Sequence, residues 1–577
     1  MTFDSKTPSA GARAGARGFA VRALEFHSSR MWQWAQVEQA LSFMHQFDMN
    51  ALVFHQNDIV EHLVFPEAFF PDELMWKRWP VRLHSIYQNR HYINKVAREA
   101  KALGIRLYLQ IKEIWFADAL LEIVPGLRGA DGSVCPSDPF WWKFLDIKMC
   151  ELVQAVPDLA GVIVSPGTRE SKVSISANSC RCERCAALSP ADWYADLLGA
   201  MERPLAAAGK TLAVRDFSYS ADQQSHMLDA ARRCSPDIVI SLKNTPHDYY
   251  PTFPDNPRIG HTAGLRQWIE YDTWGQFFGL GFFPLSVVED MQRRMRHALA
   301  SGAEGISLRT DWEVITDAGS FNSPNILNVI GGAMLAQDVE RDLDGIYAAW
   351  ARHGLYSPMR SASEMAPPQV PAHPQAPVWL RDYMRASWQV MEKAAYVRGH
   401  LFHEDDQYPE SLAKAFDMLV HIHGRDDWEP GASRLLEPTD ENLEIIFAEK
   451  EQALAEVRRL GALLRPRELG LPPAVAAELE TMLGLYEHYV QGYMLCARAV
   501  FSADRARRSG EAAWIEAAGA AVPPLREFAR QIDAVLAGTH YPHYAYWLLD
   551  VSRVRALALD IEAQLARLAA PTEEVTA

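Results

Sequence analysis

Between residues 19 and 309 the sequence alternates short runs of β-branched and aromatic residues with segments of helical periodicity. This alternation predicts repeated strand–helix units. The predicted strands span residues 19–25, 50–55, 105–111, 161–165, 211–216, 237–242, 266–271 and 305–309. Eight strands with helices between them are typical of a (β/α)8 TIM barrel, which is an α/β fold.

The strand composition favours a parallel sheet. Residues 162–164 and 238–240 are runs of consecutive apolar side chains, as expected for strands that helices cover on both faces. An open, doubly wound sheet is the alternative. The glycine fingerprint that follows the first strand of that fold is missing here. We therefore predict the closed barrel.

The second half of the sequence is rich in helices. Residues 367–377 hold five prolines in eleven positions, which predicts an extended linker. Helical periodicity then recurs over residues 378–400, 410–423, 441–463, 473–507, 510–537 and 546–568. The predicted organisation is a disordered leader (1–17), a catalytic barrel (18–355), a Pro-rich linker (356–377), an α-helical C-terminal domain (378–569) and a tail (570–577).

Charge and composition exclude several classes of partner. The 577 residues carry a formal net charge of −16, whereas domains that bind nucleic acid concentrate Lys and Arg on one face. No apolar run approaches the roughly 20 residues of a membrane span. The N-terminus lacks the apolar stretch of a secretory signal, and seven cysteines fit reduced thiols better than a disulfide framework. We expect a cytoplasmic protein, with a homodimer left open.

Polar residues gather where the predicted strands end. Glu170 lies in the loop after the fourth strand, which Pro166 and Gly167 terminate. A carboxyl group on a loop at the mouth of a barrel suits a general acid. The alternative is a solvated side chain paired with Arg169.

Asp248 lies in the loop at residues 243–250, directly after the sixth predicted strand. Charged, amide and aromatic side chains crowd into this segment, Asn244 among them. Such a composition is suited to holding a polar ligand and stacking on a sugar face. The alternative is a surface loop in which Asp248 caps a turn.

Two further carboxyl groups and two cations lie at neighbouring strand ends. Strand alternation sends Glu270 and Asp272 to the same side, towards the barrel mouth or onto a barrel arginine. Arg215 and Lys243 end the fifth and sixth strands. Buried cations are costly unless paired, so these two either neutralise carboxylates or bind an anionic substrate such as a uronic acid. The remaining candidates for binding sugar are His55, Asp58, Arg309, Asp311 and Trp312.

A cysteine cluster follows the fourth strand. Cys180, Cys182 and Cys185 fall within six residues, and Cys135 is a candidate fourth ligand. A structural zinc site needs four such ligands, although the Cys-x-Cys-x2-Cys spacing departs from the usual pairs. Plain reduced thiols are the equal alternative. No cofactor is expected for catalysis.

The order of these motifs resembles the barrel of the family 67 α-glucuronidases, over roughly residues 160–349. The resemblance implies that Glu170 is the general acid and that Asp248 activates water. It also implies that Lys243 and Arg215 contact the carboxylate of a uronic acid. The family carries a second carboxylate where this chain has Gln276, so Glu270 or Asp272 would have to substitute for it.

These observations predict an exo-acting, inverting glycoside hydrolase that removes a terminal, glucuronic-acid-like uronic acid from oligosaccharides. Inversion requires about 6.5–9.5 Å between the two carboxyl groups. Glu170 would act as acid and Asp248 as base, helped by Gln276 or Glu270. Two alternatives stay open. One is a carbohydrate-binding or regulatory protein that has lost hydrolysis. The other is a metal-dependent lyase or isomerase acting on sugar acids.

Overall fold

The structure is a computed structural model. It describes residues 17–112, 114–129, 132–171, 173–218, 220–312, 319–353, 376–422, 424–469, 471–538 and 543–569. Apart from Arg17, the predicted leader lies outside this set. So do the tail and the predicted linker up to residue 375.

Within the described residues, eight parallel strands close into a barrel in sequence order. They are β1 Val21–Phe26, β2 Ala51–His55, β3 Arg106–Ile111, β4 Leu159–Val164, β5 Thr211–Arg215, β6 Val239–Lys243, β7 Arg266–Asp272 and β8 Gly305–Arg309. The ring closes where β1 pairs with β8, with Val21 opposite Gly305. This architecture confirms the predicted (β/α)8 fold, and the strand ends differ from the predicted ones by at most two residues.

The lower half of the barrel is filled by apolar side chains. Alternate residues of each strand face inwards, and Val21, Ala23, Tyr108 and Trp268 belong to this interior cluster. Trp268 packs edge-on against Tyr108, with ring centroids 5.4 Å apart. A Cβ atom at Gly305 would lie 2.6 Å from the Trp268 ring, so only glycine leaves room for the indole.

Helices surround the barrel. They are α1 Trp34–Gln46, α2 Asp72–Arg78, α3 Pro80–Ala102, α4 Ala119–Ile123, α5 Phe140–Ala155, α6 Glu183–Ala187, α7 Pro190–Ala207, α8 Ala221–Cys234, α9 Val288–Ala300, α10 Ile326–Gln337 and α11 Leu343–His353. In α9 the buried residues recur on one face, including Met291, Met295 and Ala298, which is the periodicity expected of a helix lying on a sheet.

The C-terminal part is helical, as predicted. Its helices are α12 Ala376–Ala394, α13 Leu412–Phe416, α14 Asp440–Leu463, α15 Pro473–Ser509, α16 Ala512–Ala537, α17 His543–Leu548 and α18 Val551–Ala569, with a π-helix at Asp417–Ile422. Among the described helices, none is long and apolar enough to cross a membrane.

Three predicted boundaries in this part were wrong. The linker does not extend to residue 377, because α12 begins at Ala376. The helix predicted over residues 378–400 stops at Ala394, and a short hairpin of Tyr396–Val397 and His400–Leu401 follows it. The hydroxyl of Tyr396 donates to the carbonyl of Phe277, a tertiary contact that local propensity does not reveal. The last predicted helix is divided into α17 and α18.

The helical domain packs on the loop that follows β7. Phe283 stacks on Tyr486 of α15, with ring centroids 4.5 Å apart. The amide of Gly279 donates to the Asp406 carboxylate over 2.6 Å, and the amide of Ser286 donates to the Ser387 hydroxyl over 3.0 Å. The two parts therefore share one continuous apolar core.

Candidate active site

Polar side chains replace the apolar filling at the carboxyl ends of the strands. Because Val21 and Ala23 face the interior, the next inward position on β1 is Glu25. The same alternation brings partners from β2, β5, β7 and β8. We call this buried layer the floor. It consists of Glu25, His55, Arg215, Glu270 and Arg309, each at most 2% exposed.

An ion pair occupies the centre of the floor. The Arg215 Nε donates to Glu270 over 2.8 Å, and the hydroxyls of Tyr249 and Ser241 donate to the same carboxylate over 2.6 and 2.7 Å. Burial alone would raise the pKa of Glu270, but Arg215 and the two hydroxyls lower it to about 2. Arg215 and Glu270 therefore neutralise each other, as one reading of the sequence expected.

Glu25 has the opposite environment. One of its oxygens lies 2.8 Å from the His55 Nδ1 and 3.6 Å from the His27 Nδ1. Burial, together with the negative charge of Glu270, raises the pKa of Glu25 to about 7. Burial and the neighbouring His55 hold the pKa of His27 well below its usual range. Glu25 and His27 were not among the residues predicted from the sequence, although the alternation that begins at Val21 directs both side chains inwards.

A chain of hydrogen bonds links the floor to the helical domain. Arg309 pairs with Asp272 over 3.1 Å and donates to the side-chain oxygen of Gln276 over 2.7 Å. The side-chain nitrogen (Nε2) of Gln276 donates in turn to the Asp405 carboxylate over 3.0 Å. Gln276 is thus held between a cation and an anion, and this position suits an amide better than a carboxylate.

Two lysine–carboxylate pairs lie above the floor, and we call them, together with Phe217 between them, the rim. Lys112 pairs with Glu170 over 2.5 Å, and Lys243 pairs with Asp248 over 2.8 Å. The Phe217 ring centroid lies 6.0 Å from the Lys112 Nζ and 3.8 Å from the Lys243 Nζ. Glu170 and Asp248 are therefore at the same end of the barrel. Glu170 thus pairs with Lys112, a partner that the sequence did not indicate.

The two carboxylates of the rim are more accessible than the floor, whereas Lys112 and Lys243 are buried. The Glu170 side chain is 41% exposed and that of Asp248 is 15% exposed. Burial raises the pKa of Asp248, but Lys243 and His247 outweigh it and leave that pKa well below its usual range. Burial lowers the pKa of Lys243 to about 8, despite the opposing effect of Asp248. Asp248 also has a φ of 45°, which is uncommon for a residue other than glycine.

The remaining candidates have other surroundings. Asp311 accepts from the His27 amide and the Ser28 hydroxyl, so it fixes the loop after β1. Asp58 pairs with His62 over 3.3 Å at a surface pocket. Asn244 lines a small cavity between β7 and α9, and the half-buried Trp312 lies beside Trp274. Their predicted contacts with sugar stay predictions.

The cysteine cluster is brought together by two loops. The sulfur atoms of Cys135, Cys180, Cys182 and Cys185 all lie within 4.8 Å of one another. A second group with this property comprises Glu25, His27 and His55 in the barrel mouth. These are the groups of the described residues whose ligand atoms converge closely enough to hold a metal ion.

Solved structures resemble this chain to different degrees. The chain resembles a GH138 enzyme targeting pectin rhamnogalacturonan II, with a TM-score of 0.61 and 10% identity, over 96% of this chain and 85% of that one. It also matches a Flavobacterium johnsoniae chitobiase (TM-score 0.41, 14% identity, 88% of this chain and 75% of that one). A further match is a Thermobaculum terrenum O-GlcNAc hydrolase mutant (TM-score 0.39, 10% identity, 95% and 94%). No family model and no curated protein sequence matches this chain.

At 10% identity, the similarity to the GH138 enzyme shows a shared fold alone. The GH138 enzyme aligns over both parts, so the barrel and the helical domain recur together. The resemblance to family 67 stays a prediction.

Proposed function

We propose that the protein is a glycoside hydrolase that removes an acidic sugar, of the uronic acid type, from the end of an oligosaccharide. The observation that carries the proposal is the rim, where two carboxylates and two lysines face each other across Phe217. Glycoside hydrolysis needs a pair of carboxyl groups. Lysines close to an aromatic ring suit a sugar that carries a negative charge. The whole-length similarity to an enzyme targeting pectin rhamnogalacturonan II adds support.

In this mechanism Glu170 protonates the glycosidic oxygen and Asp248 activates a water molecule. The pKa of Asp248, well below its usual range, keeps it ionised at neutral pH, as a base must be. To donate a proton to the glycosidic oxygen, Glu170 would have to leave its ion pair with Lys112. A substrate carboxylate that binds Lys112 would release Glu170 from that pair. Only an acidic sugar would therefore make Glu170 available as the general acid. No cofactor takes part.

Glu25 is the alternative proton donor. Its pKa of about 7 lies near neutral pH, where a general acid is most effective. It is fully buried beside His55, so a substrate would have to reach the floor to contact it. Comparing variants of Glu170 and Glu25 separates the two assignments.

The test is a screen for sugar release from acidic oligosaccharides and their neutral counterparts, with the product anomer read by NMR. Glu170→Gln should reduce kcat about 10²–10⁴-fold on poor leaving groups and spare substrates with good ones. Asp248→Asn should reduce kcat on both. Glu99→Gln and Asp237→Asn, which lie on α3 and before β6, are the matched controls and should retain full activity.

Release of neutral and acidic sugars at equal rates would contradict the role of the lysines. Binding of a uronate without any product would indicate a carbohydrate-binding protein instead. If Glu25→Gln, and not Glu170→Gln, showed dependence on the leaving group, Glu25 would be the acid.

A second candidate function is metal-dependent chemistry on a sugar acid. Two histidines and one carboxylate converge at the barrel mouth, and both ring nitrogens of the buried His27 lack a hydrogen bond within the described part of the chain. Such a set suits a transition metal. The guanidinium groups of Arg215 and Arg309 nearby oppose a further positive charge, which is why we rank it second. Loss of activity with a chelator, reproduced by His27→Gln, would favour it.

A further inference from the structure

We propose that Cys135, Cys180, Cys182 and Cys185 bind one structural Zn²⁺ that joins the loops after β3 and β4. The sulfur atom of Cys135 lies 3.8 Å from that of Cys182 and 3.5 Å from that of Cys185. A tetrahedral ion with zinc–sulfur bonds of about 2.3 Å requires sulfur atoms about 3.8 Å apart. The cysteines therefore already have the spacing of a zinc site.

The same distances argue against a disulfide. Bonded sulfur atoms are about 2.05 Å apart, and all seven cysteines of the chain are free. Apolar packing does not explain the cluster either, because all four side chains are only partly buried. Four thiolates without hard oxygen ligands favour zinc over magnesium or calcium.

The two loops hold the ligands in place. The indole nitrogen of Trp141 donates to the carbonyl of Cys135 over 2.8 Å, and that of Trp193 donates to the carbonyl of Pro136 over 3.0 Å. On the other loop, the amide of Cys182 donates to the sulfur of Cys180 over 3.4 Å. The Arg184 guanidinium bridges the loops by donating to the carbonyl of Ser137 over 3.2 Å.

The metal would hold in place the part of the loop after β4 that lies beyond Glu170. Backbone hydrogen bonds already join the loops nearer the barrel, from Phe116 to Val173 and from Ile175 to Ile114, each 2.9 Å long. Cys180 is ten residues beyond Glu170, on the far side of these bonds. A clamp there would limit the movement of the Glu170 loop. This consequence for catalysis rests on the proposed function, whereas metal binding does not.

The experiment measures the metal content of the purified full-length protein by mass spectrometry. The wild type and the control Cys150→Ser should each contain about one zinc ion per chain, and Cys135→Ser/Cys182→Ser less than roughly 0.2. Because the double variant could fail to fold, the wild type is also exchanged with Co²⁺. Sulfur-to-cobalt charge-transfer bands and the visible bands of a tetrahedral site are expected.

Several results would overturn the proposal. They are the absence of zinc in the wild type, equimolar iron in its place, unchanged zinc in the double variant, or a cobalt spectrum without sulfur bands. Loss of the metal in His27→Gln but not in the cysteine variant would place the ion in the barrel mouth. Zinc found as expected in a protein that cleaves no acidic oligosaccharide would uphold the site and refute only the proposed function.

Discussion

The floor and the rim of the barrel hold charges of both signs, yet they differ in how those charges are fixed. On the floor, Glu270 accepts three hydrogen bonds and is shielded from water. On the rim, Glu170 pairs with Lys112, and the Glu170 side chain is 41% exposed. A buried pair is costly to break, whereas an exposed pair is easily exchanged. The floor therefore suits stability, and the rim suits exchange with a charged ligand.

The largest expected effect is on the floor. Arg215→Met leaves the buried Glu270 without its cation, so we expect the free energy of unfolding to fall by about 3–5 kcal/mol. Denaturant unfolding measures this change. Arg296→Met, which removes an exposed pair with Glu340, is the control and should alter stability far less. If both variants lost the same free energy of unfolding, the ion pair of the floor would contribute no more to stability than a surface pair.

The second effect depends on pH and concerns Glu25. Its pKa is about 7 in the folded protein, against an ordinary value of 4.5. The folded state keeps a proton that the unfolded chain releases between these values. The stabilising contribution is therefore complete below pH 4.5 and is lost as the pH rises to about 7. The unfolding free energy of the wild type relative to Glu25→Gln should fall by about 3 kcal/mol over that range. A constant difference would show that Glu25 titrates normally.

The third effect tests Gln276, which connects the floor to the helical domain. Gln276→Glu places a carboxylate beside that of Asp405 and removes a donor, so we expect a loss of about 1–2 kcal/mol. Adding Asp405→Asn should restore most of the loss, because an amide can donate to the new carboxylate. Thermal unfolding of the two variants tests this. Failure of the second change to rescue the first would show that the contact contributes little.

The smallest effect on stability is expected on the rim. Glu170→Gln removes the negative charge beside the buried Lys112, but the glutamine oxygen can still accept a hydrogen bond from Lys112, so we expect the unfolding free energy to change by about 1 kcal/mol or less. The same variant should lose most of its activity, so this one change would reduce kcat with little effect on stability. A large loss of stability would instead assign Glu170 to the framework of the protein.

Much of the fold could be predicted from the sequence, because most strands contain a short apolar run and the longer barrel helices bury apolar residues on one face. Arg215, Lys243, Glu270 and Arg309 could be placed because they end such runs. Their partners could not be predicted, since pairing depends on strand register and on loops. Asp405 contacts Gln276 across 129 residues of sequence, and no local pattern indicates that contact.

Glu25 shows a different limit. It lies within a predicted strand, and no local sequence pattern marks its carboxyl as a titrating group. Burial and the negative charge of Glu270 on β7 raise its pKa, and both are properties of the assembled barrel.

The packing of Trp268 and Tyr108 in the lower barrel has a consequence for turnover. Because aromatic rings close that end, a ligand that enters the mouth has to leave by the same opening. A released monosaccharide would block the next oligosaccharide until it diffused away. If the proposed function holds, the free sugar acid should therefore act as a competitive inhibitor.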